Sequence, residues 1–342
     1  MSASAPKDVS VVVLNWNTKN LLEKFIPYIQ QTEYEGMEIV VADNASTDGS
    51  VNLLKDSFPQ VRVIELAKNL GYAGGYNEAL KQIHTPFAVL LNSDVEVHPN
   101  WLSPMMSMMK QDDSIGAIQP KILDIANRNR FEYAGACGGY MDKFGYAFCR
   151  GRLFNNCEED EGQYDERRPI FWASGAALLV RMDAYWKAGG LDTDFFAHME
   201  EIDLCWRMQN LGFSSWVCPE SKVWHVGGGT LDAYHAKKTF LNFRNNLVLL
   251  LKNLPARQLF PKLFIRMVLD APGALKLLID RGFPHFFAVV KAHWSFLLNI
   301  RKWYRKRLKG PKKSFEELDG SYSKSIVLQH FLKGKKEFSE LD

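Results

Sequence analysis

Asp94 closes an apolar run in PFAVLLNSDVEV, and Glu96 follows two residues later. Mg2+ and Mn2+ take few carboxylates and fill their shells with phosphate oxygens. Asp94 therefore suits a cation held against a diphosphate, with Asn92 and Ser93 beside it. Glu96 joins it only if the strand geometry continues, since residues two apart share a face. Glu200 and Glu201 open a helical stretch in FFAHMEEIDLCWRMQNLG. Acids are favoured there by the helix dipole anyway, by about 0.3–1 kcal/mol. Two adjacent carboxylates beside Phe195, Phe196 and Met199 also suit a general base with a raised pKa. His225, just before three glycines in KVWHVGGGT, suits either a ligand or a packed imidazole. In VVADNASTDGS, Asp43 suits a nucleobase or ribose, and Asn44 suits a positive φ. Ser46, Thr47 and Asp48 suit a helix cap. Gly71, Gly74 and Gly75 in KNLGYAGGYNEAL let a backbone approach a ligand or turn sharply. Taken singly, several of these segments read equally well as capped, polar or glycine turns.

The elements between them are regular. VSVVVLNW, MEIVVADN, VRVIEL, PFAVLLNSD and IGAIQPKIL read as strands, and NLLEKFIPYIQQ, GSVNLLKDSF, AGGYNEALKQI and NWLSPMMSMMKQ as helices. Near-continuous apolar strands alternating with amphipathic helices predict βαβ units and a mostly parallel, doubly covered sheet. Ligands on such sheets sit beyond the carboxyl ends of the strands, where Asn15, Asn17, Asp43, Asn44, Asn92, Ser93 and Asp94 fall. From about 125 to 170, mixed glycines, aromatics and charges predict hairpins and an exposed acidic loop. PIFWASGAALLVRMDAYWKAGG reads as a strand then a helix, and EEIDLCWRMQNLG as a helix stopped at Gly212. Asp203 and Arg207, four apart, predict an ion pair. FSSWVC and KVWHVGG read as two strands. Beyond about 232 the pattern is helical, punctuated by Pro255, Pro261, Pro272 and Pro284.

The 342 residues, 46% hydrophobic and 24% charged, describe an ordinary globular chain of one large domain or two modest ones. Five cysteines without a CxxC pair give no disulfide framework or zinc knuckle and predict reduced thiols. The N-terminus has no basic segment leading into an apolar one, and no segment reaches 18 uncharged apolar residues. Neither a signal peptide nor a transmembrane helix is expected. The net charge of +3 hides an asymmetry: residues 301–313 hold eight Lys/Arg, leaving 34 basic against 39 acidic residues elsewhere. No G-x-G-x-x-G follows the first strand, which disfavours a hydride-transferring dinucleotide enzyme. The basic tail lacks a nucleic-acid reader motif, so no nucleic acid partner is expected.

Seven segments in order resemble the family 2 inverting glycosyltransferases of the GT-A fold: VVVLNWN, VVADNASTDGS, NLGYAGGYN, LLNSDVEV, FWASGAALLVRMDAYWKAGGLDTDFF, MEEIDLCWRMQNLG and WHVGGGT. The branch is the bacterial one that builds surface polysaccharides and includes rhamnosyltransferases. The resemblance spans residues 9–230. It implies an α/β, GT-A-type fold with a mostly parallel central sheet flanked by helices. The catalytic domain would cover 1–231, with a donor half over about 1–120 and an acceptor half over about 121–231. A helical C-terminal region over 232–342 would follow. Asp43 would contact the base of a nucleotide-diphospho-sugar, with Asn15, Asn17 and Asn44 nearby. Asn69, Gly71 and Asn77 would shape the donor pocket, and Asn92 and Ser93 would flank Asp94. Asp94 stands where the family's DxD-type metal aspartate stands, and Asn92 replaces the first aspartate. A divalent cation, Mg2+ or Mn2+, would depend on Asp94, His225 and the donor's phosphates, with Glu96 a further contributor. Glu201 falls at the family's catalytic base, and Glu200 is its alternative. Trp172, Ser174 and Gly175 would line the acceptor side, for a saccharide or a lipid-linked saccharide. A non-catalytic saccharide-binding relative would also explain Asn92 and Glu201. A sugar-nucleotide pyrophosphorylase would instead carry a basic glycine loop where NWNTKN stands.

Residues 285–313 set Trp294, Phe296, Trp303 and Tyr304 among the cations. That pattern suits an interfacial helix on an anionic leaflet, placing a cytoplasmic protein peripherally on the inner face of the membrane. It suits equally a helix packed on the catalytic domain or on a second copy of the chain.

Overall fold

The computed structural model describes residues 7–227, 235–307 and 312–341. The donor half alternates as its pattern predicts: β1 (Val9–Asn15), α1 (Lys19–Gln30), β2 (Met37–Asp43), α2 (Ser50–Ser57), β3 (Arg62–Glu65), α3 (Gly71–Leu80) and β4 (Phe87–Asn92). Then come β5 (Val95–Val97), α4 (Leu102–Gln111) and β6 (Ile115–Asp124). Four short strands follow in the looser region: β7 (Gly139–Asp142), β8 (Ala147–Cys149), β9 (Arg152–Leu153) and β10 (Asn156–Cys157). The main sheet resumes with β11 (Arg168–Ile170) and β12 (Ala177–Arg181), then α5 (Met182–Lys187), α6 (Glu200–Asn210) and β13 (Ser214–His225). The C-terminal region holds α7 (Ala236–Asn253), α8 (Ala256–Arg281), α9 (Phe283–Leu298), α10 (Ile300–Arg305), β14 (Ser321–Tyr322) and α11 (Ile326–Phe331).

The main sheet runs β11-β13-β6-β12-β4-β1-β2-β3, with β5 added on β13. Parallel pairing holds from β3 through β4, but β12 runs antiparallel to both β4 and β6. The sheet is therefore mixed rather than mostly parallel. Alternate residues of its central strands face opposite cores. Val12, Val40, Ala42 and Leu90 face α3 and α6, while Val11, Val41 and Leu91 face α1, α2 and α4. The five cysteines are free. Gly212, with φ of 94°, ends α6 as its position predicts.

Three expectations are corrected. FSSWVC and KVWHVGG form one strand, β13, whose register slips between Cys218 and Lys222, where Pro219 cannot donate to the ladder. Pro255 and Pro284 stand at helix starts, but α8 runs through Pro261 and Pro272. The C-terminal region is helical to Arg305, yet β14 returns to pair with β7 in a second sheet, β10-β9-β8-β7-β14. The motif residues Gly228 to Thr230 and the 231/232 boundary lie outside the described residues.

Candidate active site

The strand ends meet as one hydrogen-bonded lip. Asn15 Nδ2 donates to Asp43 Oδ1 at 2.8 Å and to Ser46 Oγ at 3.0 Å. The Ser46 amide donates to Asp43 Oδ2, and the Thr47 amide to Asn17 Oδ1. Thr18 Oγ1 bridges Asn15 Oδ1 and Ser93 Oγ, joining the ends of β1 and β4. Asn44 holds the third turn: its Nδ2 donates to Asn69 Oδ1 and the Gly71 carbonyl, and its Oδ1 accepts from the Leu70 amide. The positive φ expected at Asn44 falls one residue later, at Ala45, which frees the Asn44 side chain for this task. A Cβ at Gly75 would lie 2.7 Å from Leu14, so that glycine is required for close helix–strand approach. Asn77 is drawn elsewhere. It donates to the Leu191 carbonyl and accepts from Tyr185 Oη and the Leu191 amide, which anchors α3 to the acceptor half rather than lining a donor pocket.

Asp94 and His225, 131 positions apart, stand side by side. Antiparallel pairing sets Val95 opposite His225, and the Val226 amide donates to the Asp94 carbonyl. Oδ1 of Asp94 lies 3.1 Å from His225 Nε2, and both side chains are buried. Asn92 Nδ2 lies 3.5 Å from the same nitrogen. On the far side of the ring, Glu132 Oε1 lies 3.4 Å from Nδ1. Burial opposes charge on His225, but the carboxylates of Asp94 and Glu132 outweigh it and push its pKa up to about 10. Glu96 is not part of this cluster. It pairs with Arg128 at 2.6 Å, whose guanidinium stacks on Trp224. The strand does not continue from Asp94 to Glu96: a turn at Ser93 and Asp94 separates β4 from β5, and the partner of Glu96 is Arg128.

Glu200 and Glu201 begin α6 after a tightly wound loop. Phe196, His198 and Met199 all take positive φ, and the Ala197 amide closes a γ-turn onto the Phe195 carbonyl. Asn245 Nδ2, from α7, donates to the carbonyls of Phe195, Ala197 and His198. Arg244 donates to those of Asp194 and Phe195. Asp203 pairs with Arg207 as its spacing predicts, and also with Lys252 at 2.8 Å. The Oε2 atoms of Glu200 and Glu201 are buried without a hydrogen-bond partner. Burial raises the pKa of both carboxyls: Glu200, with Glu201 adding repulsion, and Glu201 up to about 7. Tyr72 Oη donates to the Gly175 carbonyl at 2.7 Å, and both glutamates act on that phenol. A Cβ at Gly175 would lie 2.5 Å from Tyr72 Oη and 3.8 Å from Glu201 Cβ. The Asn92 amide donates to the Ala176 carbonyl at 3.0 Å, so Gly175, which adjoins Glu201, lies one residue from a contact with the end of β4 that leads to Asp94.

Of the acceptor-side residues, only Gly175 faces this space. Trp172 is 4% exposed, packs over Gly139 and donates Nε1–H to the Tyr140 carbonyl. Ser174 is buried, its hydroxyl donating to the Ala134 carbonyl and its amide to Gln119. Both side chains are consumed by the core. Tyr72 and Glu132 were missed. Tyr72 lies inside the quoted NLGYAGGYN segment, whereas Glu132 sits in an irregular stretch with no spacing signal.

The sequence model described as Glycosyl transferase family 2 matches residues 10–188, more than half of the chain. The chain belongs to that family. Within it, the transferase lies on the rhamnosyltransferase-like branch. It is 25% identical over 229 residues to the N-acetylglucosaminyl-diphospho-decaprenol L-rhamnosyltransferase of Mycobacterium tuberculosis, covering 63% of this chain and 75% of that one. It is 20% identical over 246 residues to the low-salt glycan biosynthesis hexosyltransferase Agl10 of Haloferax volcanii, covering 70% and 75%. Its fold is similar to that of the mannosyltransferase PcManGT from Pyrobaculum calidifontis in complex with GDP-Man and Mn2+ (TM-score 0.53, 15% identity, 89% and 85% covered). It is also similar to GalNAc-T7 with UDP, GalNAc and Mn2+ (TM-score 0.60, 14% identity, 91% and 60% covered).

The transferase's residues fit a divalent cation of the kind its structural neighbours carry. Asp94 and His225 would supply one carboxylate and, once an ion displaces the proton that Asp94 and Glu132 favour, one imidazole, with Glu132 behind the ring. Among the described residues no three His, Cys, Asp or Glu side chains form a group that could hold a metal ion by themselves, so phosphate and water would have to complete the shell.

Proposed function

We propose that the transferase moves a sugar from a nucleotide-diphospho-sugar to a hydroxyl of a saccharide or lipid-linked saccharide, inverting the anomeric carbon, in cell-surface polysaccharide synthesis. The observation that carries this reading is the pair of buried, unpartnered carboxylate oxygens on Glu200 and Glu201, connected through Gly175 and Ala176 to the end of β4 that leads to Asp94 and His225. Glu201 is the base. Its side chain is partly exposed and adjoins Gly175, against which Tyr72 packs. As that oxygen attacks, Glu201 takes its proton, and the nucleoside diphosphate leaves from the opposite face of the sugar. Asp94 and His225 would hold Mg2+ or Mn2+, which when bound neutralises charge developing on the leaving diphosphate. Asn15, Asn17, Asp43, Asn44, Asn69 and Gly71 form the nucleoside side of the pocket, and Asn92 and Ser93 flank the diphosphate. The name of the mycobacterial relative, with its diphospho-decaprenol, supports a lipid-linked acceptor. The site would then work at the cytoplasmic face of a membrane, where such an acceptor meets nucleotide-sugars.

Incubation with a panel of nucleotide-sugars and Mn2+ should release nucleoside diphosphate, and Asp94→Asn should abolish both the release and its metal dependence. Proton NMR of the transferred sugar should give an anomeric configuration opposite to that of the donor. Retained configuration would remove the single-displacement reading.

A further inference from the structure

The helices α8 and α9 form a hairpin turning at Gly282, and its outer face is apolar and open to solvent. Phe260, Phe264 and Ile279 of α8 and Phe283, Phe287 and Trp294 of α9 are all exposed, from 60% to 84%. With Val268 and Leu275, also exposed, the gaps along each helix are four or seven residues, which keeps them on one stripe. The opposite stripe of α9, including Val289, Ala292 and Phe296, is buried, and α9 packs on α7. This helix is thus apolar on both sides and covered on one. Phe260 also borders a groove of about 450 Å³ with Ile300 and Tyr304, which carries the apolar surface onto α10. Patches beyond a few hundred Å² are uncommon on soluble monomers without a partner.

Charge chooses the partner. The sequence holds no Asp or Glu between Gly282 and Phe315, and Lys291, Arg301 and Arg305 are exposed beside the stripe. A second copy docked by the same face would bring two cationic surfaces together, with no acid between Gly282 and Phe315 to pair them. Anionic headgroups would neutralise them. Other members of the basic run face inward: Lys302 and Lys306 pair with Asp194, and Lys306 also with Asp192. Trp303 and Phe296 are buried. The stretch 285–313 is therefore split between packing on the catalytic half and exposure, and the exposed face begins well before it, at Phe260. No helix among the described residues is long and apolar enough to cross a membrane. A stripe of this kind lies in the interface plane. The hairpin also stands next to the catalytic loop, since Lys291 of α9 lies over Phe240 and Lys237 over the exposed ring of Phe196.

We propose that the outer face of the α8–α9 hairpin docks into an anionic lipid monolayer. This rests on the lipid-linked acceptor proposed above. The test is co-flotation of the full chain with phosphatidylcholine vesicles, with and without phosphatidylglycerol. The chain should float only with the anionic vesicles and be released by salt. F264D/F287D should weaken partitioning by on the order of tenfold for each phenylalanine removed. R301Q/R305Q should lower the salt dependence. Both variants should keep donor hydrolysis in vesicle-free solution, which reports that the fold and site are intact. Flotation that is unchanged by F264D/F287D would overturn the proposal. So would a wild-type dimer that fails to float and becomes monomeric in F264D/F287D, because a second copy then covers the face. Flotation without any donor turnover would leave the docking surface standing and remove the catalytic reading instead.

Discussion

Two neighbouring carboxyls at the start of α6 cannot both ionise cheaply once buried. Glu201 is partly exposed beside Gly175, and Glu200 is 4% exposed. Glu201→Gln is expected to lower turnover by about 10²–10⁴-fold while donor binding, followed by calorimetry, persists. Glu200→Gln should cost much less, and equal losses would exchange the two roles. The base must be ionised to act, so kcat/KM should rise with pH through an apparent value near 7. Stability should run the other way. A carboxyl whose folded pKa is raised keeps its proton in the native state after the unfolded chain has lost it. Its stabilisation is full below the ordinary value of 4.5 and fades as pH rises toward 7. Glu201→Gln should therefore raise Tm at pH 8 and change it little at pH 4, by thermal unfolding at both. At this scale the sequence was legible where a residue closes a strand, as Asp43 does, or stands in the turn just past one, as Asp94 does, because the architecture places ligands there. It was silent on Glu132, whose meeting with His225 depends on long-range pairing. It misled at Trp172 and Ser174, whose polar atoms are spent on neighbouring backbone.

The loop from Phe195 to Met199 is the element on which the base depends. Its three residues of positive φ include no glycine, at a cost of about 1–2 kcal/mol each. Nothing in FFAHM announces such a conformation, which is why it could not be read from the sequence. Asn245 offsets the cost by binding three carbonyls of the loop. Asn245→Ala should destabilise the fold by about 1–3 kcal/mol in urea unfolding. It should also lower kcat more than it raises KM for donor, because the loop that aims Glu201 relaxes. The alternating elements of the donor half were legible because each strand is apolar on both faces and each helix on one. The single strand β13 was not, since Pro219 in its middle reads as a break.

On the scale of the whole chain, the C-terminal region is part of the catalytic body. The Ile326 amide donates to the buried Asp142, the Phe338 amide donates to Glu158, and Phe315 packs between Phe171 and Trp206. Truncation after residue 313 should lower Tm and promote aggregation through the uncovered edge of β7, as light scattering would show. A periodic pattern marks helices but not a two-residue strand that returns from the far end of the chain, so β14 left no trace in the sequence. The order of synthesis gives this arrangement a consequence. The recognisable family residues have all left the ribosome by Thr230, yet Asn245, Lys252 and Lys306, which fasten the segment ahead of the base, are still to come. A nascent chain bearing every signature of the family would thus stay silent until the segment that carries Lys306 has followed.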